Sequence, residues 1–331
     1  RNVPFPGSHV IEVPAPYVRL RDLTLQGGDY GVYSSSNRFV DLEGIFTRSN
    51  EIGAVFNTSY NVLMRNLRVW NNRLGGIEIL NGRTTTLENA TFVANSNYSY
   101  RLFGTAADVI QSSIFYQSYS NTVAFSGPAT SFDNAFIDYN VYYFPEPTSH
   151  IFGTYNDLLQ WQLDKKKDYR SAITNPLLHD VSSGDFHLRS IHGRYSGGIF
   201  VNDAESSWAI DRGNPASAFS NEPSFNGARI NIGAFGGTPF ASKSPTNRIL
   251  ETRTLNEPIT IDDNSPTNLF PLIWGAINVP TGLIVNVQFS GDGGASWFNL
   301  QTNLSAYHEF ILWQATPFYN TKQGLWRVIG Q

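Results

Sequence analysis

The chain has 331 residues, of which only 15% are charged, well below the quarter usual in soluble chains. Polar character comes instead from amides and hydroxyls, with 31 Asn, while a 14% aromatic content excludes a disordered chain. A net charge of −4, no basic run beyond Lys165-Lys166-Lys167 and no apolar stretch near the roughly 20 residues of a membrane span argue against a nucleic-acid partner and a transmembrane helix.

The sequence contains no cysteine, so disulfides, zinc-thiolate sites and thiol nucleophiles are impossible. This suits a secreted protein that needs no disulfides. The opening Arg1-Asn2-Val3-Pro4 has neither the basic start nor the apolar stretch of a signal peptide, so a processed chain or a piece of a longer one is expected.

From residue 18 a repeat governs the chain. The unit apolar-x-apolar-x-x-apolar-x-apolar fits Val18, Leu20, Leu23, Leu25, then Val40, Leu42, Ile45, Thr47, then Val62, Met64, Leu67, Val69. It continues as Thr85, Leu87, Ala90, Phe92, then Val109, Gln111, Ile114, Tyr116, then Thr130, Phe132, Ala135, Ile137. Its third apolar position steps by 22, 22, 23, 24 and 21 residues, giving six turns. Each unit holds two alternating pairs offset by a corner, the pattern of strand, bend, strand. A further short run precedes most units, as at Gly31-Val32, Ala54-Val55-Phe56, Ile77-Glu78-Ile79 and Val123-Ala124-Phe125. Three short strands per turn without a helix predict an all-β, right-handed parallel β-helix whose coils stack about 4.8 Å apart. An antiparallel sandwich would not keep this fixed inward set.

Two polar rows accompany the repeat. The corners read Asp22, Gly44, Asn66, Asn89, Ser113 and Asn134, residue types that tolerate or cap a sharp bend. Three residues past the units stand Asn50, Asn72, Asn95 and Asn140, with Gly28 and Tyr119 as exceptions, and these amides can bond along the stack.

Beyond Asp138 the period fades. Residues 156–168 predict one short helix, with Asn156 as N-cap, Leu158, Leu159 and Leu163 on one face, and lysines in the last turn. Such a helix can cover the exposed end of a solenoid. Residues 169–240 are expected to finish the solenoid in irregular turns and short strands, and 242–267, with Pro245, Pro258 and Pro266, to form a linker or strand-poor junction. Five β-like runs follow, at 269–274, 283–289, 297–300, 310–313 and 325–329, with a hairpin signal at Gly291-Asp292-Gly293-Gly294. They predict a small β-sandwich with Trp274, Trp297, Trp313 and Trp326 in its core and its last strand paired. Two domains are therefore expected, 1–245 and 246–331.

The stretches Ser171-Ala172-Ile173-Thr174-Asn175-Pro176-Leu177-Leu178, Gly184-Asp185-Phe186-His187-Leu188, Ile210-Asp211-Arg212-Gly213-Asn214-Pro215 and Asn226–Thr238 resemble the closing segment of secreted bacterial right-handed parallel β-helix proteins of the pectate-lyase-like superfamily. Residues 289–297 and 323–328 resemble the fibronectin- or immunoglobulin-like modules that such proteins append. The resemblance implies a secreted or cell-surface location. It does not select an activity, because that superfamily spans polysaccharide lyases, hydrolases and surface proteins with no known reaction.

One outward position reads Arg21, Glu43, Arg65, Glu88, Ser112, Asp133. The alternating sign favours an ion-pair ladder along the surface. The chemical reading of the same row makes Glu43 and Glu88 an acid–base pair, with Arg65 holding an acidic sugar. No lysine precedes Lys165, so a lysine base on the regular turns is excluded. Calcium would need several clustered acidic oxygens. The turns offer only Asp41, Glu43 and Glu88, and the acidic loop Asp262-Asp263-Asn264 reads as solvated, so no cofactor or metal is expected. Arg21, Trp70, Tyr98, Tyr116 and Asp133 are candidate sugar contacts, the aromatics because a flat apolar face with a polar edge suits a sugar ring. The sequence thus predicts a rigid structural or carbohydrate-binding platform without catalysis, whose partner is a polysaccharide or cell-surface component and whose sandwich serves for assembly. The alternative is a polysaccharide lyase or glycoside hydrolase working in a groove along the stack.

Overall fold

A computed structural model describes residues 8–104, 107–153, 155, 157–253, 269–315 and 321–331. The chain divides into two compact units, residues 1–244 and 245–331.

Three parallel sheets build the first unit, each coil contributing one strand to each. The first sheet holds His9–Val13, Tyr30–Ser35, Ile52–Asn57, Gly75–Leu80, Tyr98–Phe103, Val123–Ser126 and His150–Phe152. The second holds Val18–Arg21, Arg38–Glu43, Tyr60–Arg65, Arg83–Glu88, Val109–Gln111 and Phe136–Asp138. The third runs from Thr24–Gln26 through Phe46–Arg48, Arg68–Trp70, Thr91–Val93, Ile114–Tyr116 and Val141–Tyr143 to Ala172–Ile173. Val40 pairs with Val62 and Glu43 with Arg65 in parallel register, so the solenoid reading holds over a sandwich. Inward rows such as Leu42, Met64, Leu87, Ile110 and Ile137 fill one continuous buried core.

The expected register holds for four coils and then slips. Leu87 pairs with Ile110, so Ile110 and Phe115 point inward, while Val109, Gln111, Ile114 and Tyr116 face out. Ile110 in turn pairs with Ile137, a step of 27 residues rather than 21, because a 3₁₀ turn at Ala129–Phe132 is inserted before the sixth coil. The corner residues, all with positive φ, are therefore Asp22, Gly44, Asn66, Asn89, Ser112 and Tyr139, not Ser113 and Asn134. Three of the expected amides do form a ladder: Asn50 Nδ2 donates to Asn72 Oδ1 (3.2 Å) and Asn72 Nδ2 to Asn95 Oδ1 (2.9 Å). Asn140 belongs to another row, accepting from the Ser113 N–H at 3.0 Å.

A helix at Leu158–Lys165 closes the stack, capped by Asp157, which accepts from Leu159 N at 2.9 Å. Asn156 lies outside the described residues. The leucines are only half-buried, and the anchor is Trp161, which stacks on Phe125 at 6.0 Å and donates to Asp168 at 3.0 Å. Asp168 also accepts from Tyr142 and Ser171, and burial lifts its carboxyl to about 6.

Residues 174–244 do not continue the solenoid. They form two antiparallel hairpins, Leu178–Asp180 with Asp185–Leu188 and Arg194–Ser196 with Ile199–Val201, and then double back over the solenoid. The outward side of the third sheet is apolar at Phe46, Val93, Ile114 and Val141, and leaving it wet would be costly. Phe186, Leu188, Ile210 and Ile232 cover it. The corner amides clamp this return segment: Asn66 Nδ2 donates to Ala234 O (3.0 Å) and Gly236 O (2.7 Å), Asn89 Nδ2 to Asn231 O (2.7 Å) and Gly233 O (3.1 Å).

The second unit is sandwich-like. One antiparallel sheet joins Ile249–Thr252, Leu269–Ile277 and Phe310–Gln314; the other joins Phe298–Ser305, Ile284–Ser290 and Leu325–Gly330. The terminal strand is paired, and Ile249–Thr252 is a sixth strand inside the stretch expected to be a junction. Trp274 is central, its indole donating to Ala306 O at 2.7 Å, with Trp313 and Trp326 at the margin of the core. Trp297 is not in that core; it lies under the Arg327 guanidinium at 4.0 Å.

Candidate functional site

Strand alternation turns two rows of the second sheet outward. One reads Arg19, Asp41, Leu63, Thr86, Val109, Phe136; the other Arg21, Glu43, Arg65, Glu88, Gln111, Asp138. The second row corrects the expected one at its far end: Gln111 and Asp138 occupy the places assigned to Ser112 and Asp133, because of the register slip. Charge is concentrated on the first three coils. Arg19 Nε bonds Asp41 Oδ2 at 2.6 Å and Arg21 reaches Glu43 at 2.7 Å, while Arg65 sits 3.5 Å from Asp41 and 3.7 Å from Glu43. Two rows of ion pairs are thereby tied into one lattice. Asp41 Oδ1 and Arg65 Nε, both shielded, have no hydrogen-bond partner among the described residues.

Beside this lattice is a groove of about 510 Å³, lined by Tyr17, Val18, Arg19, Phe39, Val40, Asp41, Asn61 and Leu63. Its lip is a stack of two rings, Tyr17 on Phe39, at 4.8 Å and 13°. Tyr17 is 75% exposed and Phe39 43%. Both residues, like Asn61 and Thr84 in the next coils, have left-handed backbone at the entry to the second sheet. Asn accepts that conformation readily, whereas for bulky side chains it is an outlier. Exposed rings at strained positions match no need of the core. A sequence signal for them exists: Tyr17, Phe39, Asn61 and Thr84 each stand one residue before the first apolar position of a unit.

The remaining candidates are dispersed. Glu88 accepts from Gln111 Nε2 at 2.9 Å and from Ser217 of the return segment, and Arg65 stands between it and Glu43. Two coils separate these carboxylates, about 10 Å at the usual strand spacing. Trp70 stacks on Phe46 at 5.9 Å beneath the edge of Phe186, and Tyr116 packs edge-on to Tyr143 at 5.0 Å. Both serve the third-sheet packing rather than an open surface. Asp133 lies after the 3₁₀ turn and pairs with Lys165 at 3.3 Å.

Tyr98 belongs to the first sheet, on its outer side. Its ring crosses Gly75, which has no side chain to obstruct it, and its hydroxyl donates to Glu78. Arg101 stacks on the ring at 3.8 Å and pairs with Glu78 at 2.9 Å. At 2% exposure Tyr98 offers no sugar platform. Burial, reinforced by the Glu78 bond, pushes its phenol far above the ordinary tyrosine range, so it serves as a neutral donor. Among the described residues no three His, Asp or Glu side chains converge as a metal site, and the Asp262–Asn264 loop lies outside them. Among the described residues no helix is long and apolar enough to cross a membrane.

Residues 11–142 match the family model described as the right handed beta helix region. The matched stretch is a right-handed parallel β-helix, in agreement with the three parallel sheets. The matched residues run from the first strand to the strand Val141–Tyr143 of the sixth coil, include the inserted 3₁₀ turn at Ala129–Phe132, and stop short of the closing helix. No curated protein and no solved structure matches this β-helix protein.

Proposed function

We propose that this β-helix protein is a secreted or cell-surface platform that holds an acidic polysaccharide on the outer face of its second sheet, without acting on it. The observation that carries the reading is the Tyr17–Phe39 stack at the lip of a groove that Arg19 and Asp41 of the ion-pair lattice help to line, with Arg65 beside Asp41. A ring stack takes the flat face of a sugar, and guanidinium groups take its carboxylate in forked bonds. Nothing in this arrangement favours proton transfer: each carboxylate of the lattice is engaged by arginine, and Glu88 by Gln111 and Ser217.

The test is affinity electrophoresis and calorimetry against polygalacturonate, alginate and chondroitin sulfate, with unsaturated products and reducing ends assayed in the same incubations. We expect retention by at least one polymer, weakened about tenfold by Arg65→Ala, and no product. Turnover that disappears in Arg65→Ala or Glu43→Gln overturns the platform reading in favour of a lyase or hydrolase. No retention by any polymer overturns carbohydrate binding itself.

A further inference from the structure

The return segment is held shut from within by two acids. Glu222 Oε1 accepts the N–H groups of Asn231 (2.9 Å) and Gly237 (2.7 Å), fixing the loop that the corner amides of Asn66 and Asn89 grip. Asp211 Oδ1 accepts from Ser244 Oγ at 2.5 Å, and its own N–H donates to Asn231 Oδ1 at 2.8 Å. Both staples thus meet at Asn231, whose amide also donates to Ser242 O at 2.7 Å. Asp211 is fully buried and Glu222 nearly so. Neither Asp211 Oδ2 nor Glu222 Oε2 has a hydrogen-bond partner among the described residues, and Gly227 presses so closely on Asp211 that a Cβ there would not fit. An ionised carboxylate would have to keep that second oxygen dry, whereas a protonated one need not carry charge there.

We propose that the return segment is a pH-responsive cover, clamped over the corner between the second and third sheets in mildly acidic solution and loosened in mildly alkaline solution. Arg212 and Arg229 face Asp211, and Asp211 faces Glu222. From the solenoid, Glu88 meets Ser217 and Arg68 lies over the Phe235 ring; from the first hairpin, His187, paired with Asp185, stacks on that same ring at 3.6 Å. Burial raises Asp211 to about 7 and Glu222 to about 8, from ordinary values of 3.8 and 4.5. A raised acid stabilises the closed form fully below its open-state value and loses that contribution as pH climbs to the closed-state value. The window therefore runs from about pH 4 to pH 8. Within most of it opening releases up to two protons, so the opening constant climbs by as much as about 100-fold per pH unit.

Hydrogen exchange of the intact chain at pH 6 and pH 8.5, corrected for intrinsic rates, tests this directly. Peptides within 209–244 are expected to open at least about 30-fold more readily at the higher pH, while those from Ile52–Asn57 and Gly75–Leu80 keep their protection. Glu222→Gln, which removes the charge but keeps the acceptor, is expected to flatten the difference, and Asp211→Asn serves if that variant fails to fold. Equal protection of 209–244 at both pH values overturns the proposal, as does an equal loss over the first sheet, which means global unfolding. The wild-type comparison decides without either variant.

Discussion

Phe39 stands where the backbone calls for asparagine. Its φ of 55° is the conformation that Asn61 adopts one coil later, and the residue is left 43% exposed. Phe39→Asn is therefore expected to leave thermal stability unchanged or raise it by up to about 1 kcal/mol, while weakening polysaccharide retention several-fold through loss of the stack on Tyr17. Calorimetric melting and affinity electrophoresis of the same sample check both halves. A melting point that falls together with retention would mean that the ring is structural. Glu43 and Arg65 were legible in the sequence because their alternation of sign survives stacking unchanged. Tyr17 and Phe39 were legible only as the residue before each unit's first apolar position, a place that does not tell a binding ring from an ordinary surface one.

At the level of the coil, the amide ladder is the element with most to lose. Asn72 Oδ1 accepts from both the N–H (3.1 Å) and the side-chain amide (3.2 Å) of Asn50, and its Nδ2 donates to Asn95 at 2.9 Å, all in buried surroundings. Asn72→Ala strands the N–H of Asn50 and one hydrogen of its side-chain amide, while Asn95 Oδ1 keeps the backbone N–H of residue 72, at a cost of about 2–4 kcal/mol. Urea unfolding followed by far-ultraviolet circular dichroism should show the midpoint falling with little change of slope. A loss below about 0.5 kcal/mol would mean that water replaces the amide. The first four coils could be read from sequence because inward residues, corner and ladder all recur at nearly fixed spacing. The slip at Ile110 could not, since Val109 and Ile110 are both apolar and only the pairing with Leu87 chooses between them. The return segment left even less trace. Its clamps join residues far apart, Asn66 to Ala234 and Asn89 to Asn231, and no period links such distant positions.

Over the whole molecule, the cores are separate. One runs through the solenoid, with a second beneath the return segment, and a third is built around Trp274 of the sandwich-like unit. A chain of residues 1–245 is accordingly predicted to fold, because stacking between adjacent coils needs nothing from beyond Ser244. Its melting temperature should lie within a few degrees of the solenoid transition in the intact chain. Insolubility, or a much lower melting point, would show that the sandwich-like unit completes the solenoid. The Pro-rich spacing suggested a boundary near residue 245, but it hid the strand Ile249–Thr252, whose half-buried pattern lacks the length of its partner Leu269–Ile277.

The ion-pair lattice occupies the first three coils, whereas the corner amides that hold the return segment begin only at Asn66. Length at one end is thus uncoupled from closure at the other. Duplicating a two-coil stretch such as 17–60 would add one more rung of arginine and acid and shift no residue of the clamp relative to its partner. Selection acting on copy number alone could fit the same closing apparatus to longer or shorter ligands, a freedom that a globular enzyme, with its site at the meeting point of distant segments, does not have.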